Sequence, residues 1–197
     1  MTTNPLAYRT AQAIGFTGAA WLSGNIASQS LITIPALLAI DPDPDPDPTP
    51  TDHPNHMTAT LTTLQIWKRI YTASSTQNPP VAAGTAAAFV YLAWTVARAV
   101  EPPLLLQVLS SSSRISGYAG PGWWYAAAAV LTVGVVPYTA VVMRGTNWRE
   151  REREKGAEAE AEAESTSGLL KRWAVLNAVR SLLPLVGGLC GFAAAVI

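Results

Sequence analysis

Charge is what this 197-residue sequence has least of: Asp, Glu, Lys and Arg make up 13% of it, about half the usual share of a soluble globular chain. Thirteen cations balance thirteen acids, so there is no global basic field to hold nucleic acid, and a nucleic-acid partner is excluded. Cys190 is the one cysteine. It can form no internal disulfide and cannot build a thiolate metal site alone. The two histidines, His53 and His56, share a proline-rich stretch with no third strong ligand beside them. No Gly-rich phosphate loop, nucleophile elbow or His-rich haem or diiron constellation occurs, so no cofactor and no metal site is expected.

What the sequence does have is long uncharged stretches. Between Arg9 and Asp41 lie 31 residues without a formal charge, between Arg69 and Arg98 lie 28, and between Arg114 and Arg144 lie 29. A bilayer core of about 30 Å needs roughly 20 helical residues. Small and apolar residues cover all faces of these stretches, which predicts membrane helices near 12–40, 80–100 and 122–143. A fourth helix, at 172–197, includes Arg180. A soluble four-helix bundle would need charged faces at helical spacing, and these faces are Ala, Val, Leu and Trp. The apolar part of a cleaved signal would be shorter than the first stretch. The expected fold is all-α, an integral-membrane four-helix bundle forming one domain over 1–197 in a multi-pass protein of an intracellular membrane. Membrane lipid is its surroundings, and the sequence leaves its oligomeric state open.

Two polar stretches interrupt the helices. Residues 41–56 read DPDPDPDPTPTDHPNH, where prolines remove donors and the aspartates repel, predicting an extended, disordered loop; the prolines resist the turn that a calcium site needs. Residues 149–168 form a charged insert whose Glu150–Arg153 and Arg151–Glu154 spacings suit a short solvated helix. Lys and Arg counts set orientation. Loops one and three carry nine, with Lys68 and Arg69 assigned to loop one, against three in the N-terminus and second loop (Arg9, Arg98, Arg114), which predicts both termini on the non-cytoplasmic side.

A polar side chain inside a span either binds another helix or lines a site. In the first span, Gly18, Asn25 and Gln29 fall on one face, and Ala20, Gly24 and Ser28 make a small-residue ridge for close helix packing. In the fourth, Trp173, Asn177, Arg180 and Pro184 fall at offsets 0, 4, 7 and 11, again one face. Arg180 either snorkels to an interface or, with no carboxylate in any span, awaits an anionic ligand. At the end of the third span Pro137 would kink the helix, while Tyr138 and Asn147 offer hydrogen bonds near the surface. Trp67, Tyr71, Trp123, Trp124 and Tyr125 read as an interfacial aromatic belt.

The first helix ending in SQSLITIPALL, then WKRIYTASSTQNPP, VPYTAVVMRGTN and WAVLNAVRSLLPL, resemble in order and spacing the small four-helix membrane family that includes the anthrone oxygenases of fungal polyketide pathways. The resemblance spans 12–195. It implies a monooxygenase of secondary metabolism that oxidises an anthrone to a quinone with molecular oxygen, without flavin, haem or metal. It carries over onto Thr146 and Asn147, and onto Trp173, Asn177 and Arg180; Glu150 departs from the leucine common after the Thr-Asn pair. The site set expected on this basis is Arg180, Asn177, Asn147 and Tyr138 for catalysis, with Trp173, Asn25 and Gln29 binding a small aromatic substrate. The same pocket would also serve a non-catalytic protein that carries or scaffolds a hydrophobic metabolite. A channel is less supported, for there is no internal repeat and no ion path.

Overall fold

The structure, a computed structural model, describes residues 4–40, 53–99, 120–143 and 163–197. The Asp-Pro run through residue 52 and most of the charged insert lie outside them; the described parts of the two polar stretches, 53–56 and 163–168, are helical. The described residues form helices and no strands: α1 (Pro5–Ser28), a π-helical turn (Gln29–Thr33), α2 (Ile34–Ile40), α3 (His53–Ala99), α4 (Pro121–Val133), α5 (Val135–Val141) and α6 (Ala163–Val196). Among the described residues, four stretches are long and apolar enough to cross a membrane: Pro5–Ala39, Leu61–Ala99, Pro121–Val141 and Ser167–Val196. Leu31, Ile32, Val130, Val175, Leu189 and Phe192 are all more than half exposed. An outer surface this apolar suits lipid rather than water, and the chain is a multi-pass membrane protein.

Helix α3 begins far earlier than the predicted 80–100. It runs unbroken through Lys68 and Arg69, expected in a loop, and through the Pro79–Pro80 pair at the predicted helix start. The two prolines leave the carbonyls of Ser75 and Thr76 without helical donors. Nearby hydroxyls donate into the same turns: Ser75 Oγ to the Thr72 carbonyl at 2.9 Å and Thr76 Oγ1 to that of Ala73 at 2.8 Å. These bonds go to carbonyls three residues before the freed ones, and the helix runs on past both prolines. The 39-residue stretch is roughly 58 Å long at about 1.5 Å per residue, nearly twice a bilayer core. Lys68 and Arg69, both exposed, ride on its polar extension.

Prolines also shape the other spans. Pro35 cannot donate to the Leu31 carbonyl and its ring crowds it. The preceding turn widens to a π-helix, in which the Ile34 amide reaches back to the Gln29 carbonyl. In the third span the helix breaks at Gly134, three residues before Pro137.

The chain divides into two compact units. The first comprises Met1–Ser23, Pro80–Val135 and Leu182–Ile197. Its core is Phe89, Leu92, Tyr125 and small residues, with Phe89 stacked on Tyr125 at 6.5 Å between ring centres. Tyr125 is wholly buried, which corrects its assignment to an interfacial belt: Gln12 Nε2 donates to its hydroxyl at 3.0 Å and the Tyr8 hydroxyl lies at 3.3 Å. Trp123, by contrast, is exposed. Helices here meet at glycines: a Cβ on Gly187 would lie 3.0 Å from the Ala128 carbonyl, and one on Gly188 would lie 3.1 Å from Ala19 Cβ. The predicted ridge of Ala20, Gly24 and Ser28 is not part of this packing. Ala20 and Gly24 face outward, with nothing within 4 Å of a Cβ built on Gly24.

The second unit comprises Gly24–Pro79 and Val136–Ser181. Its apolar core is Ile34, Leu37, Trp67, Met143, Leu170 and Trp173. Trp67 is 3% exposed and so is not a belt residue either. Tyr71 stacks on it at 5.4 Å, and Trp173 meets it edge to face at 5.9 Å.

Candidate functional site

The second unit also holds a buried polar cluster. Helix α6 supplies Trp173, Asn177 and Arg180, whose spacing of four and three residues keeps them on one side of the helix. All three are buried, Asn177 completely and Arg180 to 6% exposure. Arg180 therefore does not snorkel. Its Nη1 donates to Thr139 Oγ1 of α5 at 2.9 Å, and the Tyr71 and Tyr138 phenols lie within electrostatic reach of the guanidinium. No Asp or Glu occurs in residues 4–39, 61–99, 120–143 or 167–197. Among these the buried cation has no carboxylate partner, an expensive arrangement unless another group shares the charge.

The first span contributes through its π turn. Gln29 and Ser30, adjacent in sequence, are both buried. The Asn177 amide nitrogen donates to the Ile26 carbonyl at 2.9 Å and to Ser30 Oγ at 3.1 Å. Because a carbonyl can only accept, this contact fixes which way the Asn177 amide is turned. Gln29 Nε2 lies 2.5 Å from Ser74 Oγ, and Asn25 Nδ2 donates to Asn78 Oδ1 at 2.9 Å. The Tyr138 hydroxyl donates to the Leu176 carbonyl at 3.3 Å.

Among the described residues, five buried polar atoms have no hydrogen-bond partner: Gln29 Oε1, Thr63 Oγ1, Trp67 Nε1, Asn177 Oδ1 and Arg180 Nε. All lie in the second unit. Native interiors leave few such atoms, and each costs about 1–3 kcal/mol. In the first unit the buried hydroxyls of Tyr125, Thr95 and Thr132 are bonded. Among the described residues the unsatisfied set, with donors and acceptors both present, is confined to the second unit.

Of the residues singled out in sequence, Arg180, Asn177, Trp173, Tyr138, Asn25 and Gln29 all fall in this unit, each with a partner here. Asn147, with Thr146, lies outside the described residues. Sequence reasoning missed the contribution of α3: Thr63, Trp67, Tyr71, Ser74 and Asn78 recur every three or four residues. That period was missed because Lys68 and Arg69 were assigned to loop one and the helix was started at residue 80. Among the residues with described side chains, no group of three His, Cys, Asp or Glu could hold a metal ion.

The comparisons with known proteins point the same way. A family model described as anthrone oxygenase matches residues 67–190. The chain is 34% identical over 195 residues to the anthrone oxygenase encC of Aspergillus fumigatus, covering 92% of this chain and 90% of that one. It is 30% identical over 175 residues to the anthrone oxygenase nsrD of Aspergillus novofumigatus, covering 88% and 86%. A third relative, the anthrone oxygenase tpcL of Aspergillus fumigatus, is 39% identical over 93 residues, 47% of this chain and 56% of its own length. No solved structure matches.

Proposed function

Because the chain belongs to the anthrone oxygenase family and is thus an oxygenase of that type, we propose that it oxidises an anthrone-like aromatic to a quinone with molecular oxygen, using the polar cluster of its second unit. The observation that carries this reading is the buried Arg180 guanidinium, with its Nε unpartnered and no carboxylate among the described side chains. An anthrone is a carbon acid: loss of a proton from its methylene carbon leaves an enolate. The enolate gives electrons to oxygen, a carbon–oxygen bond forms at the former methylene, and loss of water yields the quinone. One O2 is consumed, one oxygen atom enters the product and the other leaves as water. The substrate carbanion supplies the electrons, so this route needs no flavin, haem or metal.

The protein's task is to bind the rings, favour the enolate and manage one proton. Arg180 Nε donates to the keto oxygen as it becomes an enolate, in a water-poor setting where such a contact is worth most. Asn177 has a narrower role than sequence suggested. Its nitrogen is committed to the Ile26 carbonyl, so its free oxygen accepts from a ring hydroxyl beside the keto group and does not hold the carbonyl. Tyr138, near the guanidinium, relays the proton. The faces of the Trp173 region receive the aromatic system. Lys68, Arg69, Lys171 and Arg172 flank the two indoles in sequence, which suits a membrane-surface depth for that pair and entry of a lipid-soluble substrate from an intracellular bilayer.

Replacing Arg180 tests this. Arg180→Ala lowers turnover by about 100-fold or more, and Arg180→Lys restores little, since an ammonium lacks the planar fork. The loss falls on kcat more than on binding, because the negative charge develops along the reaction. Oxygen consumption with an anthrone, in membranes at matched expression, is the measurement. Near-normal rates for both variants would overturn the assignment.

A further inference from the structure

Thr139 is the hydrogen-bond partner of Arg180, and the kind of partner it is decides what the guanidinium can do. Arg180 Nη1 donates to Thr139 Oγ1 at 2.9 Å, while Nε of the same planar group has no partner. A guanidinium is flat and rigid, so a bond at one nitrogen restricts the directions in which the others point. The arginine side chain is long and rich in rotamers, and without such a bond it would not present one N–H along one line. Thr139 is itself held in place. It follows Tyr138 on α5, whose hydroxyl donates to the Leu176 carbonyl at 3.3 Å. Leu176 and Arg180 lie about one turn apart on α6, so two consecutive residues of α5 bond two successive turns of α6.

The chemistry of the acceptor matters as much as its place. A carboxylate would grip a buried guanidinium more strongly and would neutralise it. A hydroxyl accepts one N–H and carries no charge, so it orients the cation without cancelling the field that a developing anion needs. No Asp or Glu occurs in residues 4–39, 61–99, 120–143 or 167–197, and the acceptor that reaches Arg180 is this neutral one. Resting on the reading of Arg180 as the group that meets the enolate, we infer that Thr139 is a positioning residue for the reaction: its hydroxyl holds the guanidinium in one orientation, leaving Nε and the full positive charge for the substrate. Thr139 acts through Arg180 and not on the substrate itself.

A double-mutant cycle provides the test: Thr139→Val, Arg180→Ala and the two combined, with Thr139→Ser beside them, in membranes at matched expression. Oxygen uptake with an anthrone gives kcat and KM. Valine keeps the branching of threonine and removes the acceptor; kcat falls about 10-fold or more through misalignment, with KM little changed, since the contact serves a charge that develops along the reaction. Serine keeps the hydroxyl and restores most of the rate. In the Arg180→Ala background the valine change costs nothing further, because the residue it acts through is gone. A packing defect behaves otherwise: its loss multiplies with that of Arg180→Ala, and serine, which lacks the methyl group, does not repair it. Multiplying losses overturn the inference, and so does a serine variant as slow as the valine one. If Thr139→Val does not fold, Thr139→Ala removes the same acceptor and takes its place in the cycle. A normal kcat in Thr139→Val beside an inactive Arg180→Ala overturns this inference alone, whereas normal turnover in Arg180→Ala brings down the reading of Arg180 and this inference with it.

Discussion

At the scale of single residues, the two units treat polar groups in opposite ways. Tyr125 is surrounded by partners, its hydroxyl bonded by Gln12 and close to Tyr8, whereas Asn177 and Arg180 keep atoms in reserve. Tyr125→Phe removes the acceptor for Gln12 Nε2 and lowers stability by about 1–3 kcal/mol. Thermal unfolding in detergent measures this, with the turnover of the surviving folded protein unchanged. The α6 residues were legible in sequence because amide, guanidinium and indole at offsets of four and seven are conspicuous in an apolar helix. Trp67 and Tyr125 were not. Position next to cations or near a span end does not tell an interfacial ring from a buried one; only the register of the helix carrying it does. The state of individual atoms was beyond reach as well, since whether the Asn177 oxygen is occupied depends on the Ile26 carbonyl of another helix.

At the scale of elements, four spans were legible from runs of uncharged residues, and their number stands. The start of α3 was not, because charge and proline are loop signals in water and weaker ones at a membrane surface. Lys68 and Arg69 point outward while Trp67 and Ser74 point inward on the same helix. Small residues were ambiguous in a similar way. A four-residue spacing of Ala, Gly and Ser says that a close approach is possible, not which ridge makes it. Gly187→Ala drives a methyl to 3.0 Å from the Ala128 carbonyl and 2.9 Å from Thr132 Oγ1, and should cost about 1–3 kcal/mol by overpacking. Gly24→Ala meets nothing and should be neutral or stabilising by up to about 1 kcal/mol through helix propensity. Melting temperatures of the two variants in one detergent compare them directly; equal losses would contradict the packing described.

At the scale of the whole molecule, orientation follows from the placement of cations. Lys68, Arg69, Lys171 and Arg172 belong to the second unit, and Arg9 and Arg98 to the first. Arg98 lies over the half-exposed Trp94 ring at 4.1 Å, a cation–aromatic pair suited to a membrane surface. The cation count predicts loops one and three on the cytoplasmic side and both termini on the other. Single cysteines introduced at 43–52 and 157–167, in a Cys190→Ser background, should label only from the cytoplasmic side. Labelling of either loop from outside would reverse the topology.

The π turn at Gln29–Thr33 has a consequence for how such a site arises. A π turn is an α-helix with one residue too many, and one residue amounts to a rotation of about 100° for everything beyond it. Here the surplus is borne by Leu31 and Ile32, which face outward and are more than two-thirds exposed, where a bilayer accepts any apolar side chain. One extra residue thus turns the two parts of the helix relative to each other and lets the adjacent Gln29 and Ser30 both face the interior. The burial of Gln29 and Ser30 is then a matter of helix phase, set where the apolar side chains of Leu31 and Ile32 face outward.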